Sequence, residues 1–528
     1  MSNASRQTEA ALLRNELQEI DDAMINLVHR RADVCSRING VCATTSVFPL
    51  EILITIFQCA CSFPCESTER DPHTPLILAS VSRGWRQIIH STPSLWTSLG
   101  ILLWDTEYAS ADSLALIRTY FHNSDTLPVS LRLNLSTRVG TKEERDASRS
   151  EITLTDTSDT HLPLQPPSPN RKQRFTRRRP GLHDIATKEI FEFLINKNPN
   201  KLRALFIDEL PLPWLLVYIW GSPSNTLNNY PLPNIERLHV GMPDIRPVNW
   251  PTSRIIPSST LPRLVHLSLA QNMPFGLEFP YHQLTVLELC GLPINECYRV
   301  IRSCTSVVRC YCKRPHASAE NSPRPLTTPV TLSHLRTFGW TFGFQQWDEA
   351  LLKCFMLPAL EVFRCEDQAE KYIIGLENNQ YNEQSWRNLQ SSFLHQSPNL
   401  RVFKCFATDP LLWETRFLAS DLPQTIQELH LRYVNVYIAD DFIRALTPKP
   451  DVPVPFPNLR YLSIELESLY WIRDLVLDFL KARRSRDIQA SGLQARLERL
   501  DLRRGRMGRT GGQMDIAKDL VIEFQKNR

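Results

Sequence analysis

A short apolar pattern recurs along most of the chain and limits the folds that it can adopt. From about residue 186, three apolar residues stand at offsets 0, 3 and 5 of a segment. Eleven such triplets begin at Leu202, Ile235, Leu264, Leu284, Val307, Leu335, Leu360, Leu400, Ile426, Leu459 and Leu497. Pro precedes seven of them by two or three positions, where it ends a helix and favours extended backbone. Each triplet therefore predicts a strand.

Helical patterns fall between several of the triplets. Apolar residues at helical spacing occur near Ile190 and within 295–304, 386–394 and 472–480. A strand followed by a helix, repeated, predicts an α/β fold in which residues 186–528 form an irregular βα solenoid. The spacing of roughly 20 to 40 residues is looser than in a regular leucine-rich repeat, although Leu264 to Asn272 resembles that consensus.

A surface for a protein partner follows from the same pattern. On each strand, the residue between the last two apolar positions of the triplet points away from the core. The residues expected on this surface are Phe206, His239, Glu288, Tyr311, Arg364, Lys404, His430 and Asp501.

A polar segment interrupts the beginning of this region. Residues 136–183 are rich in Ser, Thr, Asp and Pro, and they contain too little apolar surface to offset the chain entropy of folding. We expect a disordered insertion there. Because Leu131 to Leu135 alternates like a strand, residues 101–135 are interpreted as the start of the repeat region.

The N-terminal residues 9–43 show heptad spacing. Apolar residues stand at Leu13, Leu17, Ile20, Met24, Leu27, Val34, Ile38 and Val41, and Arg31 interrupts the series. This spacing predicts a helix that pairs in a short coiled coil, so a homodimer through residues 9–43 is one interpretation. A single amphipathic helix that docks on its own domain is the other.

Residues 46–100 contain three motifs in a fixed order. They are Phe48-Pro49-Leu50-Glu51-Ile52-Leu53, then Val81 to Trp85-Arg86, then Pro93-Ser94-Leu95-Trp96. In this order they resemble the F-box-like region of large fungal F-box protein families, with Phe48 in place of the leading Leu. The segment from Cys59 to Pro75 is an insertion relative to that pattern.

The resemblance implies a helical domain at 46–100 that binds the Skp-family adaptor of a cullin ubiquitin ligase, while the repeats recruit an unknown protein substrate. Other subunits would transfer the ubiquitin. The residues expected to bind the adaptor are Phe48, Pro49, Leu50, Glu51, Ile52, Leu53, Ile54, Ile56, Phe57, Val81 and Trp85. The same residues could instead form a small helical core. We favour the core for Val81, Trp85 and Trp96, and the partner surface for Pro49, Leu50 and Ile54.

Composition excludes several classes of protein. A formal net charge of +4 does not favour nucleic acid, and no apolar run is long enough to cross a membrane. No apolar signal-peptide core begins the chain, so an intracellular protein of the cytoplasm, the nucleus or both is expected. The 13 Cys are scattered and are interpreted as reduced thiols.

Two clusters of Cys and His residues are candidates for a metal site. They are Cys59, Cys61, Cys65 and His73, and Cys304, Cys310, Cys312 and His316. Neither has the paired spacing of a zinc site, and Cys310 and Cys312 fall at core positions of a triplet, so buried thiols are favoured and no metal is expected.

Catalytic motifs are absent from the sequence. It contains no Gly-rich phosphate loop, no nucleophile elbow and no His-Glu metal motif, so we expect neither an enzyme nor a cofactor.

Two clusters of basic residues each have two interpretations. Arg171 to Arg179 is either a nuclear localisation signal or a solvated basic tract. Near the C-terminal end of the repeats, Arg503, Arg504, Arg506 and Arg509 form either an anion-binding cluster or a charged end cap.

The alternative function is that of a scaffold that self-associates and never meets a ubiquitin ligase.

Overall fold

The structure is a computed structural model that covers all 528 residues. It describes residues 3–42, 48–61, 73–102, 107–134, 189–208, 232–241, 254–270, 277–316, 329–343, 345–367, 383–406, 422–434, 436–448, 455–466, 473–484 and 497–504. The predicted insertion at 136–183, the basic tract Arg171 to Arg179, and Cys65, Arg506 and Arg509 lie outside these residues.

The described strands follow one another as β1 (Ser98–Leu102), β2 (Val129–Asn134), β3 (Leu202–Asp208), β4 (Arg237–Gly241), β5 (Arg254–Ile255), β6 (His266–Ala270), β7 (Leu277–Glu278), β8 (Val286–Cys290), β9 (Arg309–Lys313), β10 (Val330–Thr331), β11 (Thr337–Phe342), β12 (Phe355–Met356), β13 (Val362–Asp367), β14 (Val402–Phe406), β15 (Glu428–Val434), β16 (Tyr461–Leu466) and β17 (Arg499–Arg504). Thirteen of them form one large parallel sheet, whose spatial order is the order along the chain. The short strands β5 and β7, and β10 and β12, pair separately.

The described α-helices are α1 (Asn3–Cys42), α2 (Leu50–Cys61), α3 (Thr74–Val81), α4 (Arg83–His90), α5 (Glu107–Asn123), α6 (Ile294–Ser303), α7 (Gln345–Cys354), α8 (Glu383–His395), α9 (Val436–Leu446) and α10 (Arg473–Arg484). Short helical turns cover Pro93–Trp96, Glu192–Lys197, Pro199–Lys201 and Tyr281–Gln283. The predicted α/β class is confirmed. None of the described helices combines the length and the apolar character that a membrane crossing requires.

The chain divides into two compact units, Met1–Leu205 and Phe206–Arg528. In the first unit, β1 and β2 pair in parallel, and the side chains of β2 alternate between buried and half-buried. This alternation confirms the strand that the sequence predicts before the insertion.

All eleven apolar triplets coincide with strands of the large sheet. The second and third residues of each triplet lie on a strand, and every triplet residue is buried. In the second unit, cross-strand register aligns the second residues in one row: Leu238, Leu267, Leu287, Cys310, Phe338, Phe363, Phe403, Leu429, Leu462 and Leu500. Because side chains alternate between the two faces of a strand, these residues define the apolar face of the sheet.

Helices of the second unit contact this apolar face. Asp348 of α7 accepts a hydrogen bond from the indole Nε1 of Trp340 on β11, at 2.8 Å. The ring of Phe393 on α8 lies 5.8 Å from that of Phe363 on β13. The opposite face of the strands carries the polar residues considered below.

Candidate protein-binding surfaces

The first and second motifs of the F-box-like pattern meet in one helical unit. Pro49 precedes α2, and its carbonyl accepts a hydrogen bond from the N–H of Ile52 at 3.1 Å. On α2, the ring of Phe57 meets that of Trp85 on α4 edge-on, with 4.7 Å between ring centroids. Ser82 caps α4 by accepting a hydrogen bond from the backbone N–H of Trp85 at 3.1 Å.

The third motif is anchored by Trp96. This residue is fully buried, and its indole Nε1 donates a hydrogen bond to the carbonyl of Ile89 at 2.9 Å. Its ring stacks on His90 at 5.5 Å and meets Tyr120 of α5 edge-on at 5.1 Å. Trp96 therefore belongs to the core of this unit, as the sequence analysis favoured.

Six large apolar side chains remain exposed on α2, on α3 and just before α2. They are Phe48, Leu50, Ile52, Ile56, Ile77 and Val81, with exposed fractions of 44% to 52%. Among the described residues of the second unit, the exposed large apolar side chains are Val265 and Met356. Among the described residues outside α1, exposed large apolar side chains are therefore concentrated on the helical unit, which is typical of a binding surface.

The structure corrects the expected adaptor surface at Leu53 and Phe57, and it corrects the core assignment favoured for Val81. Leu53 and Phe57 are buried, so they form the core of the unit and are not available to a partner. Val81, which we assigned to the core, is 52% exposed. Ile77 was not identified from the sequence, although it stands four residues before Val81 and thus on the same face of α3.

The other residues of that predicted surface differ in exposure. Pro49 and Glu51 are exposed, and Glu51 lies in the first turn of α2, where a negative charge suits the helix dipole. Ile54 and Trp85 are half-buried.

The predicted partner surface of the second unit forms one continuous row across the sheet. Register aligns His239, Ser268, Glu288, Tyr311, Gly339, Arg364, Lys404, His430, Ser463 and Asp501 on the polar face. Seven of these ten were predicted. The other three, Ser268, Gly339 and Ser463, occupy the same offset in their triplets, so the pattern contained the signal that would have identified them. All but Ser268 and Gly339 are partly exposed.

Phe206 is not part of the exposed row. It is only 7% exposed, so its expected place on the partner surface is wrong. Its ring stacks on that of His239 at 6.2 Å. His239 in turn contacts Asp208 through Nε2 at 3.1 Å and Ser268 through Nδ1 at 2.8 Å. These polar contacts fix the His239 ring at the β4 end of the row.

The Tyr311 ring lies next to Gly339 on the neighbouring strand. A Cβ atom on Gly339 would stand 2.7 Å from Cδ1 of Tyr311, so only glycine leaves room for the ring. The Lys313 ammonium lies 5.8 Å from the centroid of the same ring. Burial raises the pKa of the Tyr311 hydroxyl, while the nearby cations Arg309 and Arg364 oppose this shift.

A cationic cluster surrounds the ring of Phe406 at the end of β14. The guanidinium groups of Arg364 and Arg432 lie 4.3 Å and 4.8 Å from its centroid, and Lys404 stands two residues earlier on the same face. We call Arg364, Lys404, Phe406 and Arg432 the Phe406 cluster. Glu366 accepts a hydrogen bond from Nε of Arg364 at 2.7 Å and holds that side chain in place.

The row continues through His430 and Asp501. The His430 ring meets that of Tyr461 edge-on at 4.9 Å, and the Tyr461 hydroxyl donates a hydrogen bond to Asp501 at 2.9 Å. Burial, together with the charge of Lys404, lowers the pKa of His430, although the Glu428 carboxylate 3.5 Å away opposes the shift. The balance of these effects favours the neutral form of the His430 ring.

The cysteine clusters do not assemble a metal site in the described part of the chain, where no three His, Cys, Asp or Glu side chains converge suitably. Cys304, Cys310 and Cys312 are buried. Burial raises the pKa of the Cys304 thiol to about 12, and it raises those of Cys310 and Cys312 well above their ordinary value. Protonated buried thiols are poor metal ligands.

No model of a known protein family matches this chain, and no curated protein matches it.

Proposed function

We propose that the chain is the substrate-recruiting F-box adaptor of a Skp/cullin ubiquitin ligase, acting in the cytoplasm, the nucleus or both. In this proposal the helices of residues 48–96 form an F-box-like unit that binds the Skp-family adaptor. The second unit is an irregular leucine-rich-repeat-like solenoid that holds a protein substrate.

One observation carries the adaptor half of the proposal. The three motifs pack together, yet six large apolar side chains on α2, on α3 and before α2 remain exposed to solvent. Ile52 and Ile56 are four residues apart on an exposed face of α2, about 100° around the helix from the buried Leu53 and Phe57. Aliphatic side chains on one exposed helix face are suitable anchors for a groove in a partner.

The polar row supports the substrate half. The row presents cations and half-buried rings on a rigid surface. The surface is rigid because every strand of the large sheet from β6 to β16 is paired with a neighbouring strand on both sides. In the Phe406 cluster, Glu366 pairs with Arg364, and Glu465 lies 3.6 Å from Arg432, so three cations stand against two carboxylates. We therefore propose that the bound substrate segment is acidic, since Arg guanidinium groups suit carboxylates.

The alternative function, a self-associating scaffold, is favoured by a different observation. The apolar stripe of α1 is exposed along its length, which suits pairing between chains. Self-association and adaptor binding use different residues, so the two functions can be tested separately.

The adaptor proposal is tested with the full-length chain and a fungal Skp-family adaptor in a titration measured by calorimetry. The test variant is Ile52→Asp with Ile56→Asp, because both residues are exposed and their replacement leaves the core intact. We expect the dissociation constant to rise at least roughly a hundredfold, since two apolar anchors would become charged.

The matched control is Val265→Asp with Met356→Asp, which places the same two charges at exposed apolar positions of the second unit. This control should bind the adaptor like the wild type. Wild-type chain that fails to bind would refute the adaptor proposal, and so would equal losses in both variants. Circular dichroism checks that each variant is folded.

A further inference from the structure

We propose that two copies of this chain associate through α1 as an antiparallel pair of helices. The proposal does not depend on the adaptor function. It rests on the exposure of one apolar stripe and on the distribution of charge around it.

The stripe of α1 is uncovered in the described part of the chain. Leu13, Leu17, Ile20, Met24, Leu27, Val34 and Ile38 are 46% to 65% exposed, and every described side chain of this 40-residue helix is exposed. Docking of α1 on its own domain would cover the stripe, so that interpretation does not agree with the structure. A helix with a long uncovered apolar seam is stabilised by pairing with another helix.

Charge is distributed unequally along the helix. Between residues 9 and 22 there are five carboxylates, from Glu9, Glu16, Glu19, Asp21 and Asp22, against one guanidinium, a net charge of −4. Between residues 23 and 38 there are three guanidinium groups, from Arg30, Arg31 and Arg37, against one carboxylate, a net charge of +2. A second copy in antiparallel orientation brings the acidic half of each helix beside the basic half of the other.

Arg31 discriminates between the two orientations because it occupies a seam position. In a parallel pair in register, Arg31 of one copy faces Arg31 of the other, which places two like charges in an apolar seam. In an antiparallel pair, Met24 packs beside Leu27 of the second copy, and Arg31 faces Ile20 of the second copy. Asp21, the next residue, is then available to neutralise the guanidinium.

The positions that flank the seam give the same orientation. In a parallel pair, Glu16 lies beside Asp21 of the second copy, and this repulsion between carboxylates offsets the attraction between Glu9 and Arg14. In the antiparallel pair, Glu16 lies beside Arg37 of the second copy, and the pair occurs twice because the arrangement is two-fold symmetric. Opposite charges at these positions attract, so both flanking pairs stabilise the antiparallel dimer.

The interaction is tested by sedimentation equilibrium of the full-length chain. We expect a dimer at micromolar concentration for the wild type and a monomer for Met24→Asp with Leu27→Asp, which place charges at the centre of the seam. The matched control is Asn15→Asp with His29→Asp, which adds two carboxylates on the outer face of the same helix and should leave the dimer intact. A monomeric wild type overturns the proposal, and so does a dimer that resists the seam changes.

A charge exchange tests the orientation. Glu16→Arg should weaken the antiparallel dimer roughly tenfold, because two attractive pairs become repulsive. Adding Arg37→Glu in the same chain should restore the affinity, and high salt should reduce both effects. If Glu16→Arg strengthens the dimer, the helices are parallel, because the repulsion between Glu16 and Asp21 has been removed. That result, or a failure of Arg37→Glu to restore affinity, overturns the antiparallel arrangement.

Discussion

Gly339 stands at the one position of the polar row where a side chain would collide with a neighbouring ring. We predict that Gly339→Ala lowers the free energy of unfolding by about 1–3 kcal/mol, because the new Cβ forces the Tyr311 ring to move. The measurement is urea unfolding. The same substitution at Gly100 of β1, where no atom lies within 4 Å of the added Cβ, is the matched control.

A double-mutant cycle identifies the cause of this loss. In a Tyr311→Ser background there is no ring to displace, so Gly339→Ala should have a much smaller effect on the free energy of unfolding. An equal loss in both backgrounds would show that the ring is not the reason for glycine at this position.

His430 makes stability depend on pH. Its folded pKa lies below its ordinary value of 6.5, so the unfolded chain takes up a proton first as the pH falls. The free energy of unfolding should therefore decrease between about pH 7 and the folded pKa of His430. Urea unfolding at several pH values measures this decrease, and His430→Gln should make it smaller.

Lys404→Met provides a second variant for the same prediction. The ammonium of Lys404 contributes to the lowered pKa of His430, so its removal should raise that pKa and reduce the pH dependence. A pH dependence that is unchanged in both variants would contradict the assignment to His430.

At the scale of single elements, Asp348 connects α7 to the sheet. Its carboxylate is buried and accepts hydrogen bonds from the indole of Trp340 at 2.8 Å and from the N–H of Gly343 at 3.0 Å. We predict that Asp348→Ala lowers the free energy of unfolding by about 3 kcal/mol, because two donors lose their acceptor.

The neighbouring residue provides the control for Asp348. Glu349 pairs with Lys353 one turn away on the surface of α7, and Glu349→Ala should reduce stability by only about 0.5 kcal/mol. Urea unfolding of both variants measures the contrast. Equal effects would show that the buried hydrogen bonds contribute little to the attachment of α7.

Individual helices could be predicted less completely than strands. α6, α8 and α10 follow from their apolar spacing, and α9 could have been found too, since Ala439, Phe442, Ile443 and Leu446 are buried at helical intervals. α2 illustrates a physical limit. Apolar residues occur around most of the circumference of α2, so the apolar pattern does not single out a buried face. The sequence therefore could not show that Leu53 faces the core while Ile52 faces solvent.

At the scale of the whole molecule, the strands were the most predictable feature. In each triplet, apolar residues alternate with period two, so that one face of the strand is buried. In most triplets a Pro also precedes the first apolar residue and prevents a helix from forming there. These local conditions are sufficient because each strand of the large sheet pairs with the preceding and the following strand of that sheet along the chain. Phe206 was misplaced because the same alternation cannot indicate whether other residues cover the second face of a strand.

The agreement between chain order and strand order has a consequence for how such a protein changes during evolution. Each strand from β4 to β17 in the large sheet depends on its immediate neighbours, and the intervals between these strands vary from 15 residues between β6 and β8 to 34 between β13 and β14. A connection can therefore lengthen, or a whole strand-helix unit can be duplicated, without disturbing the register of distant strands. Lineages can thus acquire new side chains on the polar row by adding units, while the rest of the row is inherited unchanged.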